Sequence, residues 1–172
     1  TFAVLAGADP VPLRTGPLRI SMPWPFVTDD VDPAVRDAVR VAAELLRELG
    51  HSVVDVPVRH SESAQDVVYT LIYSDLAKTH AERLRDEPER FQPATRERIR
   101  LGLSISDDQV VAARQQRDVF RAGTAELFDE VDVVLTPAMP GDVPHLGGGD
   151  AVVAQARRMG QLTYPWSLHD GP

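Results

Sequence analysis

Catalysis needs residues that can attack, ligate or move a proton, and this sequence offers few in the arrangements such work requires. Its five histidines (His51, His60, His80, His145 and His169) show neither H-x-x-x-H nor H-E-x-x-H spacing. No pair is therefore placed on one helix face to hold a metal. His51 follows the end of a predicted helix, where a cation suits the dipole. Asp29-Asp30 and Asp107-Asp108 are paired carboxylates, but each pair falls at the start of a helix, where negative charge suits the dipole, and acid–base work is the weaker reading. Gly147-Gly148-Gly149 runs into Asp150 rather than into the Gly-Lys-Ser/Thr that opens a phosphate-binding helix. A serine nucleophile needs a base and an oxyanion hole, yet Ser21, Ser104 and Ser167 have bulky neighbours instead of a glycine-rich turn. Lys78 is the single lysine, and cysteine is absent, so lysine chemistry has one candidate and thiol chemistry none. The residues describe a scaffold. No catalytic residue, metal site or cofactor is expected.

One stretch of that scaffold holds something still. In DEVDVVLTPAMPGDVP, Asp129 to Pro144, the strand-like run Val131–Leu135 stops at Thr136-Pro137, and two more prolines follow. A strand that ends in a proline-rich segment presents an ordered loop at a sheet edge.

The elements that must position this loop can be followed along the chain. Leu18–Met22 reads as a short strand stopped by Pro23, and Trp24 and Phe26 sit between prolines in an ordered turn. Asp32-Pro33 supplies an acceptor at the N-cap and proline at the first helical position. The helix that follows carries Val35, Val39, Ala42, Leu45, Leu46 and Leu49 on one face and stops at Gly50. Val53–Val56 is the next strand, ended by Pro57. Strand, helix and strand form a βαβ unit with parallel strands and a right-handed crossover. On this pattern Leu45→Ala or Leu49→Ala should each cost about 2–5 kcal/mol if the face lies on the sheet. Ser61 or Ser63 caps a helix over Ala64–Arg85, a polar break covers Asp86–Pro93, and a short helix covers Thr95–Leu103. Ser106 and Gln109 are spaced as a capping box. They open a helix to Phe128 with Val110, Ala113, Arg117, Phe120, Thr124 and Leu127 along one stripe. After the proline–glycine loop, a last helix is expected over Ala151–Met159.

Composition sets the class. A chain of 172 residues with 43% apolar and 26% charged residues can form one globular domain, or a large piece of one, without disulfides or metals. Net charge is −8 with the basic residues scattered, which argues against nucleic acid, whose recognition needs a basic stripe. No apolar run is long enough to span a bilayer. The opening TFAVLAGADP has no basic run and no cleavage site, so no signal peptide is expected and a cytoplasmic location is.

In order, the landmarks resemble the amidase signature family, and specifically its second half. Val4–Pro10 (VLAGADP) resembles the family's LAG-x-DP. Val31-Asp32-Pro33-Ala34-Val35, with Leu45–His51 and Val53–Val56, resembles its VDP-x-V…LGH-x-V segment. Arg100-Leu101-Gly102 and the Arg-rich helix beyond resemble its GL-x-IS helix pair. Asp132–Pro137 (DVVLTP) is similar to its D-[VL]-[LV]-L-T-P, and Pro165–Pro172 (PWSLHDGP) to its PFNLTGHP. Ser167, His169 and Asp170 stand where that last motif has Asn, Thr and Gly. Together these matches run the length of the chain.

The resemblance implies an α/β fold: part of an α/β/α sandwich, a mixed sheet with covering helices, truncated at both ends, so that residues 1–172 form a single partial domain. It implies hydrolysis or transfer of a carboxamide through a Ser–cis-Ser–Lys triad lying upstream of LAG-x-DP. None of that triad maps onto this chain, and Lys78 sits mid-helix on the wrong side of the landmark. The same resemblance assigns substrate-pocket walls to Thr136, Pro137, Met139, Trp166 and Ser167, facing a small-molecule amide. It also implies self-association or association with the missing half. Two other readings stay open: a stand-alone, non-catalytic α/β binding module derived from this fold, and an unrelated α/β small-molecule-binding domain.

Overall fold

A computed structural model of the chain describes residues 16–24, 26, 27, 29–143 and 151–169, with side chains of the last helix from 154 onward. Residues 4–10 (VLAGADP), His145, the Gly147–Gly149 run and Asp170–Pro172 lie outside the described residues. The elements are β1 (Arg19–Ser21), α1 (Pro33–Glu48), β2 (Ser52–Val54), α2 (Ser61–Asp86), α3 (Pro93–Leu103), α4 (Asp107–Glu130), β3 (Val133–Val134) and α5 (Ala151–Gly160). A short 3₁₀ turn, Pro88–Arg90, joins α2 to α3, and a second, Tyr164–Leu168, follows α5.

The three strands are parallel in the order β2-β1-β3. Ile20 is aligned with Val53 on one side and Val133 on the other. Alternation along the strands sends successive residues to opposite faces, and two apolar clusters follow it. Val53 and Leu135 pack with Met22, Val27, Val39 and Ala43 beneath α1. Val54, Val56 and Val134 pack instead with Val67, Val68, Phe120 and Leu127 of α2 and α4. Helices therefore cover both faces, which makes an α/β/α arrangement around a small parallel sheet. The expected βαβ unit is present with its parallel strands.

Ser21, at the centre of the sheet, is fully buried. Its hydroxyl donates to the Val56 carbonyl (2.8 Å) and accepts from the Val56 amide (3.3 Å), which carries the β1–β2 pairing past the end of the ladder. The α2–α3 contact is closer still. A β-carbon on Gly102 would overlap the Tyr73 carbonyl and crowd Ala77, so glycine lets the two backbones meet.

Several local expectations need correction. The α1 face that touches the sheet is centred on Val39 and Ala43, whereas Leu45 and Leu49 are 53% and 74% exposed. The topology is as expected. The apolar stripe of α1 is simply wider than the surface that strands of three residues offer it. Leu45→Ala and Leu49→Ala are accordingly expected to change the stability of this chain by no more than about 0.5 kcal/mol each, the usual scale of surface substitutions. Urea titration of both variants checks this, and a loss above about 2 kcal/mol would place the α1 face elsewhere.

Helix α2 begins at Ser61, three residues early, behind His60 in the left-handed region (φ 62°), and neither Ser61 nor Ser63 caps it. The Ser63 hydroxyl donates to the His60 carbonyl instead. Helix α3 begins two residues early, at Pro93, because proline fits the first helical position. The ladder of β3 spans two residues rather than five, since the Val131 amide still closes the last turn of α4 on Leu127. The capping box of α4 forms as expected: the Gln109 amide donates to Ser106 Oγ (3.2 Å), and the Ser106 amide donates to Gln109 Oε1 (2.8 Å).

Candidate active-site wall

Because the strands are parallel, the loops after β1, β2 and β3 leave from one end of the sheet, where open α/β folds bind ligands. Those loops are joined to one another. The Trp24 amide donates to Asp55 Oδ1 (2.9 Å), and the Asp32 amide donates to the Pro140 carbonyl (2.7 Å). The segment Tyr164–Leu168 lies against α2 and sets Trp166 edge-on to Phe26, with ring centres 6.1 Å apart.

A groove of about 380 Å³ runs along the outer edge of β3, lined by Phe128, Asp132, Val133, Val134, Thr136, Trp166 and His169. Among the described residues β3 pairs only with β1, so this groove is an open strand edge with an aromatic border. The His169 ring lies 5.3 Å from that of Phe128. The Asp132 carboxylate accepts the Arg19 amide (2.8 Å) and so anchors the start of β3 to β1.

Of the five residues expected in the pocket wall, the structure brings two together: Thr136 and Trp166 line this groove. Pro137 is buried and lines a different hollow, of about 610 Å³, with Val35, Val39, Leu135 and Gly141. Extended backbone explains the split. Thr136 continues the side of Val134 and Pro137 that of Leu135, so these two leave the backbone on opposite sides. Met139 (40% exposed) and Ser167 are exposed and line neither hollow. In a 3₁₀ segment successive side chains point about 120° apart, so Trp166 in the groove sends Ser167 outward.

Sequence reasoning missed Phe128 and His169 as groove residues. The signal for Phe128 was an aromatic at the end of an apolar helix just before the strand. The signal for His169 was its departure from the family motif.

The titratable groups point the same way. Tyr69 is buried with its hydroxyl unpartnered, flanked by Tyr73 and Tyr164 with ring centres 5.2 and 5.1 Å away. Burial pushes its phenol above the ordinary tyrosine range, and burial likewise raises that of Tyr73. Neither is a proton acceptor near neutrality. Among the described residues no three His, Asp or Glu side chains converge on a point that could hold a metal. No helix among them is long and apolar enough to cross a membrane.

The same arrangement recurs in known proteins. A solved structure of an amidase superposes with a TM-score of 0.83 at 26% identity, over 96% of this chain and 39% of its own. The 2-amino-5-chloromuconic acid deaminase of Comamonas testosteroni is 34% identical over 139 residues, 80% of this chain and 30% of that protein. An amidase of Pseudomonas putida is 30% identical over 135 residues, 78% of this chain and 28% of that protein. The chain thus spans about a third of the length of the relatives it matches. The amidase family itself matches over residues 6–172. With the parallel sheet, its two helical layers and the Thr-Pro loop all in place, the chain belongs to the amidase family.

Proposed function

We propose that this chain is the C-terminal portion of a cytoplasmic amidase-like enzyme that cleaves or transfers the C–N bond of a small carboxamide. In this reading the nucleophilic serine, the relaying serine and the lysine base come from the remainder of the domain. Residues 1–172 supply the scaffold and one wall of the substrate pocket. The observation that supports it is the Thr136–Gly141 segment at the carboxyl end of β3, beside a strand edge that is open among the described residues. Exposed edges pair with another strand, so this edge is where the rest of the domain, or a second copy, would add. A stand-alone binding module would more naturally close or blunt that edge, which is why the enzyme reading is preferred.

Within this wall Thr136 and Trp166 are the residues that face substrate. In the complete polypeptide, Trp166→Ala is expected to lower kcat/KM for an aromatic carboxamide by about 10–100-fold, the scale of a lost apolar pocket contact. Thr136→Val should lower it by about fivefold, through one lost polar contact of about 1 kcal/mol. Steady-state kinetics with matched circular dichroism spectra decide the matter. Unchanged kinetics in both variants would remove this groove from the active site.

A further inference from the structure

Asp32 stands at the N-cap of α1, yet its carboxylate makes no capping hydrogen bond. It is engaged elsewhere. Arg158 Nη2 donates to Asp32 Oδ1 at 2.9 Å, and Arg158 Nε lies 3.6 Å from Asp30 Oδ2. The Asp30 carbonyl accepts from Arg158 Nη2 (3.5 Å) and from Gln161 Nε2 (3.3 Å). Asp30 itself is held in the left-handed region, with φ 51°. On its other side the Asp32 carboxylate lies against Gly141, where an added β-carbon would overlap it and crowd Arg158 Nη1. The Asp32 amide meanwhile donates to the Pro140 carbonyl (2.7 Å).

Three segments far apart in sequence meet in this knot: the turn before α1, the end of the Thr136–Gly141 loop, and α5. The arm that reaches in is itself fixed. Neighbouring Arg157 pairs with Asp66 and lies 4.4 Å over the Tyr69 ring, while its carbonyl accepts from Gln65 (2.6 Å), so α5 is tied to α2 as well. A charge pair as exposed as this one (Arg158 39%, Asp32 48%) contributes little to global stability. Its geometry acts locally, on the loop.

We propose that Asp32 and Arg158 are positioning residues, which hold the Thr136–Gly141 loop in place at the carboxyl end of β3 so that Thr136 keeps its aim along the groove. The functional part of this proposal rests on the substrate-wall reading above, and two measurements separate them.

The first is amide hydrogen exchange on the complete polypeptide. In Arg158→Gln the Asp32 amide, which reports the link to Pro140, should exchange about tenfold faster, because only local opening is eased. The Met22 amide, bonded to Val54 across β1–β2, should stay within about twofold. Gly141→Ala should give the same pattern by displacing the Asp32 carboxylate, and the double variant should be no worse than either single change, as expected for coupled residues. Arg158→Lys, which keeps the charge but loses the fork, should recover part of the protection. If Arg158→Gln does not fold, Arg158→Lys and Gly141→Ala carry the test.

Unchanged Asp32 protection in every variant overturns the proposal, and so does loss of protection in step with Met22. The second measurement is kcat/KM of the complete polypeptide, expected to fall about tenfold in Arg158→Gln, with most of the change in KM. A loosened Asp32 amide with unchanged kinetics would sustain the positioning role and refute the substrate-wall reading of the loop.

Discussion

The 172-residue chain is expected to hydrolyse a simple aromatic carboxamide on the order of 10⁶-fold more slowly than an amidase that carries a Ser–cis-Ser–Lys triad. That is the scale seen when a serine hydrolase loses its nucleophile and base. The described serines that could be suspected are otherwise placed. Ser21 is sealed inside the sheet with its hydroxyl bound to Val56. Ser104 donates to the Leu101 carbonyl at 2.7 Å, closing the end of α3. Ser74 is buried on α2, and Ser167 is exposed beside Trp166. Lys78 is exposed on α2 and is not among the residues that line the groove. The measurement is release of the aromatic amine by purified chain at high concentration. Turnover abolished by changing any one of its serines to alanine would show that the chain carries its own nucleophile.

Phe120→Ala is expected to have the largest effect on folding, with a loss of about 3–5 kcal/mol. Phe120 is 1% exposed and sits in the cluster that α4 shares with Val67 and Val68 of α2 and with Val58. Removing the ring leaves a cavity that two long, mutually packed helices cannot easily close. A loss of that size is a large share of the 5–15 kcal/mol that usually separates folded from unfolded domains. It should appear as a fall in the urea midpoint at unchanged slope. A loss under about 1 kcal/mol would mean that the α2–α4 seam is not the core of this half of the fold.

What could be read from the sequence depended on whether the signal was local. The βαβ unit was legible because the proline at the start of α1, the glycine after it (Gly50, φ 89°) and the short valine runs all lie within a few residues of what they determine. The capping box of α4 was legible for the same reason. The packing of Leu45 and Leu49 was not, since a helix stripe does not say how much sheet lies beneath it. Asp32 has the residue type of a cap, but its carboxylate is taken by Arg158, 126 positions away, and no local pattern carries that information. At the candidate site, the family resemblance named segments of chain and not the directions of their side chains. Thr136 and Trp166 share the groove, whereas Pro137, Met139 and Ser167 diverge from it, because a segment names a stretch of backbone and only its φ/ψ values decide which way each side chain points.

The strand order has a consequence for how the protein is made. Of the three described strands, β1 in the middle leaves the ribosome before the others, and β2 follows within one helix. The link from Arg19 to Asp132 spans 113 residues. At synthesis rates of about 5–20 residues per second, that interval lasts roughly 6–23 s. Through it, β1 is without β3 while α2, α3 and α4 are produced. Closing so long a loop is slow even after release. The nascent chain therefore has a window in which Ile20 and its neighbours are open to the wrong strand, and a chaperone that shields β1 during that window would act where the topology is weakest.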